Sequence, residues 1–182
     1  MEFVGTSVEG AVVVRPERRE DQRGWFARIY CVEEFASQGL DTAISQINLA
    51  ETAYAGTVRG LHYQLPPGQE AKLIRCMNGA IFDVVVDVRP SSPTFGQWAG
   101  IELTADDGDA FFVPAGCAHG YQALTTDARA LYHASEPYAP ELERGIHHAD
   151  PKIGIDWPLA PVHVSDKDQQ LPALVDAELP RT

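Results

Sequence analysis

Apolar residues recur at every second position along this chain, in short runs broken by glycine, proline and paired polar residues. Helical spacing is scarce, so the pattern is that of strands. It is clearest in Ile81 to Arg89, where Phe82, Val84, Val86 and Val88 share one face and Asp83, Asp87 and Arg89 the other. One apolar face at a period of two predicts a half-buried antiparallel strand. The same reasoning predicts strands over Ala11 to Val14, Gly56 to Gln64, Ala71 to Cys76, Ala80 to Val88, Trp98 to Leu103, Ala110 to Val113, Gly120 to Leu124 and Arg129 to Ala134. Asn78-Gly79 reads as a hairpin turn between two of them. Asp106-Asp107-Gly108 and Thr125-Thr126-Asp127 supply further turns. Short helices are expected over Val32 to Leu40 and from Asp166 to Val175, neither of them a framework element. Many short, evenly spaced strands predict an all-β sandwich or jelly-roll barrel rather than an α/β fold. With no internal repeat, low-complexity tract or linker, residues 1–182 are expected to form one domain.

Composition narrows the partners. The chain is long enough to bury a core without staples. Its formal net charge is -12, with three lysines among fourteen basic residues. That balance argues against duplex nucleic acid and an anionic membrane, which both reward a basic face. A nucleotide remains compatible, because a few aimed arginines can hold a diphosphate. The first ten residues carry Glu2 and Glu9 and lack the basic start and apolar run of a signal peptide. No stretch approaches the ~18 apolar residues of a membrane span. Cys31, Cys76 and Cys117 are odd in number and unpaired in spacing, which suggests reduced thiols in the cytoplasm.

Titratable groups concentrate on the predicted strands. In Arg59-Gly60-Leu61-His62-Tyr63-Gln64, alternation puts His62 and Arg59 on opposite faces. If both address a ligand, the strand must twist or bulge at Gly60; otherwise His62 is a core histidine satisfied by a neighbour. Lys72 shares a face with Ile74 and Cys76, so it either meets a buried anion or protects an edge strand. His119 stands in a Gly-bracketed turn. Tyr132 and Tyr138 fit core packing with a hydroxyl at the rim, or a ligand. Ser165-Asp166-Lys167-Asp168 reads as a helix start capped by Ser165 or Asp166, which leaves Asp168 less well explained. A metal site is the weaker alternative: His62 has no second histidine two residues away, and His147-His148 would point to opposite sides of an extended chain. A base acting without a metal fits better.

Taken in order, these segments resemble the dTDP-4-dehydrorhamnose 3,5-epimerase family. The shared pattern includes Asp21-Gln22-Arg23-Gly24-Trp25-Phe26, Gln46-Ile47-Asn48, Arg59 to Gln64, Lys72-Leu73 and Asp83 to Arg89. It continues through Ser92 to Trp98, Pro114-Ala115-Gly116 with Ala118-His119-Gly120, Tyr132, Tyr138, Gly145-Ile146, Trp157-Pro158 and Ser165 to Asp168. Each fragment alone is weak, but the ordered set is specific and spans nearly the whole chain. The resemblance implies a cupin-type jelly roll with short peripheral helices. It also implies epimerisation at C3, C5 or both of a nucleotide-linked 4-keto-6-deoxyhexose.

The roles implied by the resemblance suit the chemistry. Hydrogens at C3 and C5 are both α to the carbonyl, so their removal needs a base, an acid on the other face and a donor at the carbonyl oxygen. His62 would be the base, Asp168 its orienting carboxylate, Lys72 the group at the enolate oxygen and Tyr132 the acid. His119 and Tyr138 would line the sugar pocket. Arg23 and Arg59 would hold the diphosphate, with Phe26, Gln46 and Asn48 in the substrate site toward the nucleotide. No metal or organic cofactor is required. A homodimer sharing an N-terminal strand is expected, since Val12, Val13 and Val14 read as an apolar edge and the resemblance points the same way.

The chain departs from the family pattern at two places. Arg28 stands where the family has a glutamate near the pyrimidine, so an acceptor has become a donor and thymine selectivity should weaken. His147-His148-Ala149 replaces a tryptophan-containing rim segment. The competing functions are a cupin-type 3,4-ketoisomerase and a non-catalytic nucleotide-sugar binding module.

Overall fold

The computed structural model describes residues 1–180. The strands in chain order are β1 (Glu2–Gly5), β2 (Val12–Arg15), β3 (Arg18–Asp21), β4 (Gly24–Ala27), β5 (Gln46–Thr52), β6 (Val58–Gln64), β7 (Lys72–Asn78), β8 (Ala80–Asp87), β9 (Trp98–Thr104), β10 (Ala110–Val113), β11 (Cys117–Ala123), β12 (Ala128–Ala134) and β13 (Glu143–Gly145). Helix α1 (Val32–Ser37) follows β4, and α2 (Asp166–Gln169) lies near the C-terminus. Both are shorter than their sequence patterns suggested. No helix among the described residues is long and apolar enough to cross a membrane.

Two antiparallel sheets, ordered β1-β2-β10-β7-β12-β5 and β13-β6-β11-β8-β9, close into the all-β, cupin-type jelly roll. Between them lies the main core: Val13, Ile74, Phe111 and Ala130 from the first sheet meet Ile81, Val85, Leu103 and Tyr121 from the second. The outer face of the second sheet is covered by the C-terminal segment, with Ile153 and Leu174 against Val84 and Val86. Phe35 of α1 covers part of the first sheet's outer face, against Val14, Leu73 and Phe112.

The structure departs from three expectations. Strand β8 is not half-buried: Asp83, Val84, Val85, Val86 and Asp87 are all buried, because the barrel interior takes one face and the C-terminal segment the other. Asn78-Gly79 does not close a hairpin; β7 and β8 belong to different sheets, and the turn carries the chain across the barrel corner. Nor is Val12 to Val14 an edge. β2 lies between β1 and β10, so β1 protects it.

Candidate active site

A cavity of about 740 Å³ opens between the sheets, lined by Arg59, His62, Lys72, His119, Tyr132 and Asp168, with Val162, Ser165 and Lys167 at its side. A smaller pocket of about 310 Å³ shares His62, Lys72 and Tyr132 with it, and adds Gln46, Asn48, Glu70, Tyr138 and Glu143.

His62 is set by β6 and α2 together. Its Nε2 lies 2.7 Å from Asp168 Oδ1. Asp168 Oδ2 accepts the Gly60 amide at 3.1 Å. The Ser165 hydroxyl caps α2 by accepting the Asp168 amide at 3.1 Å, which holds the carboxylate over β6. Burial pushes the Asp168 carboxyl up, but the His62 hydrogen bond and charge, with the Gly60 amide and Ser165, outweigh it and keep it below the usual range. With Nε2 committed to Asp168, Nδ1 is the nitrogen left to take a proton.

Arg59 and His62 line the same cavity because β6 and β11 shift register between the pairs His62↔His119 and Arg59↔Tyr121. The backbones touch closely at this point. Gly60 has φ +113°, and a Cβ on it would lie 2.7 Å from the Gly120 Cα.

His119 is on β11, not in a turn: Gly120 serves this close strand contact rather than a loop. The His119 Nε2 lies 2.8 Å from Asp83 Oδ1, and the second Asp83 oxygen is buried without a partner. Burial raises the Asp83 pKa, opposed by His119 and Lys72. This second histidine–carboxylate pair was hidden in the sequence, where Asp83 reads as the wet face of β8.

Lys72 begins β7, which lies between β10 and β12 in the middle of its sheet. The edge-strand explanation therefore fails, and the lysine has the anion its position calls for: Nζ is 2.8 Å from Glu70 Oε1. Tyr132 is half-buried on β12. Burial raises its pKa, Glu70 and Glu143 add to that, and Arg59 opposes them. Tyr138 is exposed at the mouth of the smaller pocket, where its hydroxyl donates to Glu143 Oε2 at 2.8 Å. Lys167 Nζ donates to the same oxygen at 2.6 Å. Sequence reasoning missed Glu143, on a strand too short to show a period, and took Lys167 only as part of a helix start.

Some predicted site residues are not brought together. Gln46 and Asn48 point inward from β5, and the Gln46 side-chain oxygen Oε1 accepts the Tyr138 amide. Arg59 instead donates to Thr52 Oγ1 and the Glu51 carbonyl at the far end of β5, both at 3.0 Å. Six strand steps of ~3.3 Å separate Gln46 from Thr52 by ~20 Å. Arg23, Phe26 and Arg28 do not reach the cavity of their own chain. β3 and β4 form a separate two-stranded hairpin, on which Arg23 pairs with Asp21 and Phe26 is 70% exposed. Arg28, just beyond β4, pairs with Glu34 at 3.2 Å. The His147 and His148 rings do not diverge: they stack with centroids 4.5 Å apart, in a turn closed by the Asp150 amide to the His147 carbonyl. Among the described residues, no group of three or more His, Cys, Asp or Glu side chains is arranged to hold a metal ion.

The family model for dTDP-4-dehydrorhamnose 3,5-epimerase matches residues 5–176. The dTDP-4-dehydrorhamnose 3,5-epimerase of Sinorhizobium fredii is 42% identical over 181 residues, covering 99% of this chain and 92% of that protein. A dTDP-4-dehydrorhamnose 3-epimerase of Streptomyces niveus is 40% identical, over 93% of this chain and 82% of that one. Among solved structures, the dTDP-6-deoxy-D-glucose-3,5-epimerase of Legionella pneumophila in complex with dTDP-4-keto-L-rhamnose superposes with a TM-score of 0.92. It is 34% identical, over 100% of this chain and 98% of that one.

Proposed function

This chain belongs to the dTDP-4-dehydrorhamnose 3,5-epimerase family, and we propose from that premise that it inverts C3, C5 or both of a dTDP-linked 4-keto-6-deoxyhexose with His62 as base and Tyr132 as acid. It is an isomerase acting by proton transfer. The observation that carries the reading is the placement of these two groups on facing walls. His62 comes from β6 of one sheet, Tyr132 from β12 of the other, and both line the same cavity. Inversion needs this arrangement, because the proton must leave one face of the sugar and return to the other.

His62 Nδ1 takes the α-proton while Asp168 stabilises the imidazolium that forms. Charge then moves to the C4 oxygen, where Lys72 donates. Tyr132, kept protonated by burial and its acidic neighbours, delivers a proton from the far side. The cycle moves protons only, so its balance needs no redox or group-carrying cofactor. Arg59 serves the diphosphate end of the cavity, with His119 and Tyr138 beside the sugar.

Arg23 and Phe26 have no role in their own cavity, and we assign them to a second copy. Phe26 on the hairpin is 70% exposed, and Ile47 and Leu49, on the outer face of β5, are 60% and 63% exposed. A homodimer that lays the hairpin across its partner's cavity would use all of them. The shared core of the two sheets supports one functional domain, and the three unpaired cysteines support a cytoplasmic setting.

The function is tested by incubating the protein with dTDP-4-keto-6-deoxyglucose in deuterium oxide and weighing the sugar nucleotide. One deuteron means one carbon deprotonated and two mean both, and proton NMR of the product shows which of them is inverted. No incorporation overturns the reading. A 3,4-ketoisomerase would instead deliver a 3-keto sugar.

A further inference from the structure

Glu70 moves no proton in the proposed relay, yet it lines the smaller pocket beside Lys72, a residue that lines both pockets. Its Oε1 lies 2.8 Å from Lys72 Nζ, and the two side chains are only 10% and 11% exposed. Taking two charges out of water seldom stabilises a fold, so a buried pair on a cavity wall points to a use beyond stability. The segment carrying the pair is itself pinned. Between Glu70 and Lys72, the Ala71 amide donates to the Ser135 hydroxyl at 2.8 Å, and the Ala71 carbonyl accepts the Ser135 amide at 2.9 Å. Glu70 therefore leaves a backbone fixed to the end of β12, the strand that carries Tyr132.

We propose that Glu70 is a positioning residue for the epimerisation: its carboxylate takes one Lys72 N–H and so aims the remaining two at the C4 oxygen as the enolate forms. This rests on the reading of Lys72 as the donor at that oxygen. An ammonium has three donors on a flexible stem, and an anion at a fixed point removes most of that freedom. The geometry demanded at a developing oxyanion is strict, so a lysine left to wander would bind substrate and still turn it over slowly. Glu70 also presents negative charge to Tyr132. The other charged or titratable groups lining the two pockets with that phenol are Arg59, His62 and Tyr63 from β6, Lys72 from β7, His119 and Tyr121 from β11, Glu143 from β13, Lys167 and Asp168 from α2, and Tyr138 and His163. Removing the Glu70 charge eases ionisation of Tyr132, so the alkaline limb of the rate profile moves to lower pH.

The test is steady-state kinetics on dTDP-4-keto-6-deoxyglucose with Glu70→Ala and Glu70→Gln, each alone and combined with Lys72→Ala. Glu70→Ala is expected to lower kcat by about ten- to a hundredfold with little change in KM. Glu70→Gln keeps an oxygen for Nζ, so it should recover most of kcat while its alkaline limb still moves down. In the Lys72→Ala background, Glu70→Ala should cost nothing more. A Glu70→Ala enzyme at the parental kcat, with Lys72→Ala slow, overturns the role of Glu70 alone; so does an equal loss in both backgrounds. Lys72→Ala at the parental rate overturns the reading of Lys72, and the proposal with it.

Discussion

In the proposed mechanism His62 and Tyr132 divide the proton traffic, and the Tyr132 hydroxyl is the atom that separates removal of the proton from its return. Tyr132→Phe keeps the ring that fills the cavity wall and removes only the hydroxyl. Exchange of the α-hydrogens with solvent, started by His62, should persist, while inverted product falls by roughly 10²–10⁴-fold, the usual worth of a placed acid. Proton NMR of the sugar in deuterium oxide reads both quantities in one sample. Weaker binding with an unchanged share of inverted product would contradict the acid role. His62 and Lys72 stood out in the sequence because their types are improbable on a buried strand, whereas Tyr132, an ordinary strand residue, stood out only through the family resemblance. Asp83 and Glu70 were not legible. A carboxylate on or beside a strand reads as a solvated face until its histidine or lysine partner is seen, and both partners are distant or ambiguous in sequence. Arg23, Phe26 and Arg28 carry the opposite lesson: a motif can match its family while its residues stand clear of the site in their own chain.

At the scale of elements, the contact between β6 and β11 decides where the reacting side chains point. Two glycine backbones meet there, and the register shift beside them turns both Arg59 and His62 into one cavity. Gly60→Ala would place a Cβ 2.7 Å from the Gly120 Cα and 2.8 Å from the His119 carbonyl oxygen, at φ +113°. Holding alanine in such a conformation costs about 1–3 kcal/mol before the clash is counted. In a chain of this size that lowers Tm by at least about 2 °C. Calorimetry would show it, and an unchanged Tm would mean the strands tolerate separation there. The sequence announced this bend through Gly60 but hid other elements. β5 was missed because its alternation is inverted: Gln46 and Asn48 face inward toward the smaller pocket, while Ile47 and Leu49 face out. Asn78-Gly79 misled for a different reason. A tight turn fixes only the local reversal, and whether the flanking strands pair depends on the sheets, which in a jelly roll pass the chain from wall to wall.

The whole molecule supplies two facing walls, and the proposed dimer would complete them. The β3–β4 hairpin and the outward residues of β5 leave apolar side chains in water that a second copy would cover. Light scattering at micromolar concentration should therefore give about twice the chain mass of 19.9 kDa. A particle of a single chain's mass would contradict the dimer without touching the chemistry. The jelly roll itself was legible from many short strands without helical periodicity, whereas the order of strands across the walls was not, because most of the pairings within them, such as β2–β10, β7–β12 and β6–β11, join distant segments. The proposed chemistry requires one histidine on one wall to begin every inversion. Position-resolved deuterium exchange into dTDP-4-keto-6-deoxyglucose, compared between the parent and His62→Ala, measures this directly. The variant is expected to lose exchange at every carbon the parent labels, by about 10²-fold or more. Exchange within about tenfold of the parent at any of those carbons would show that another group removes the proton.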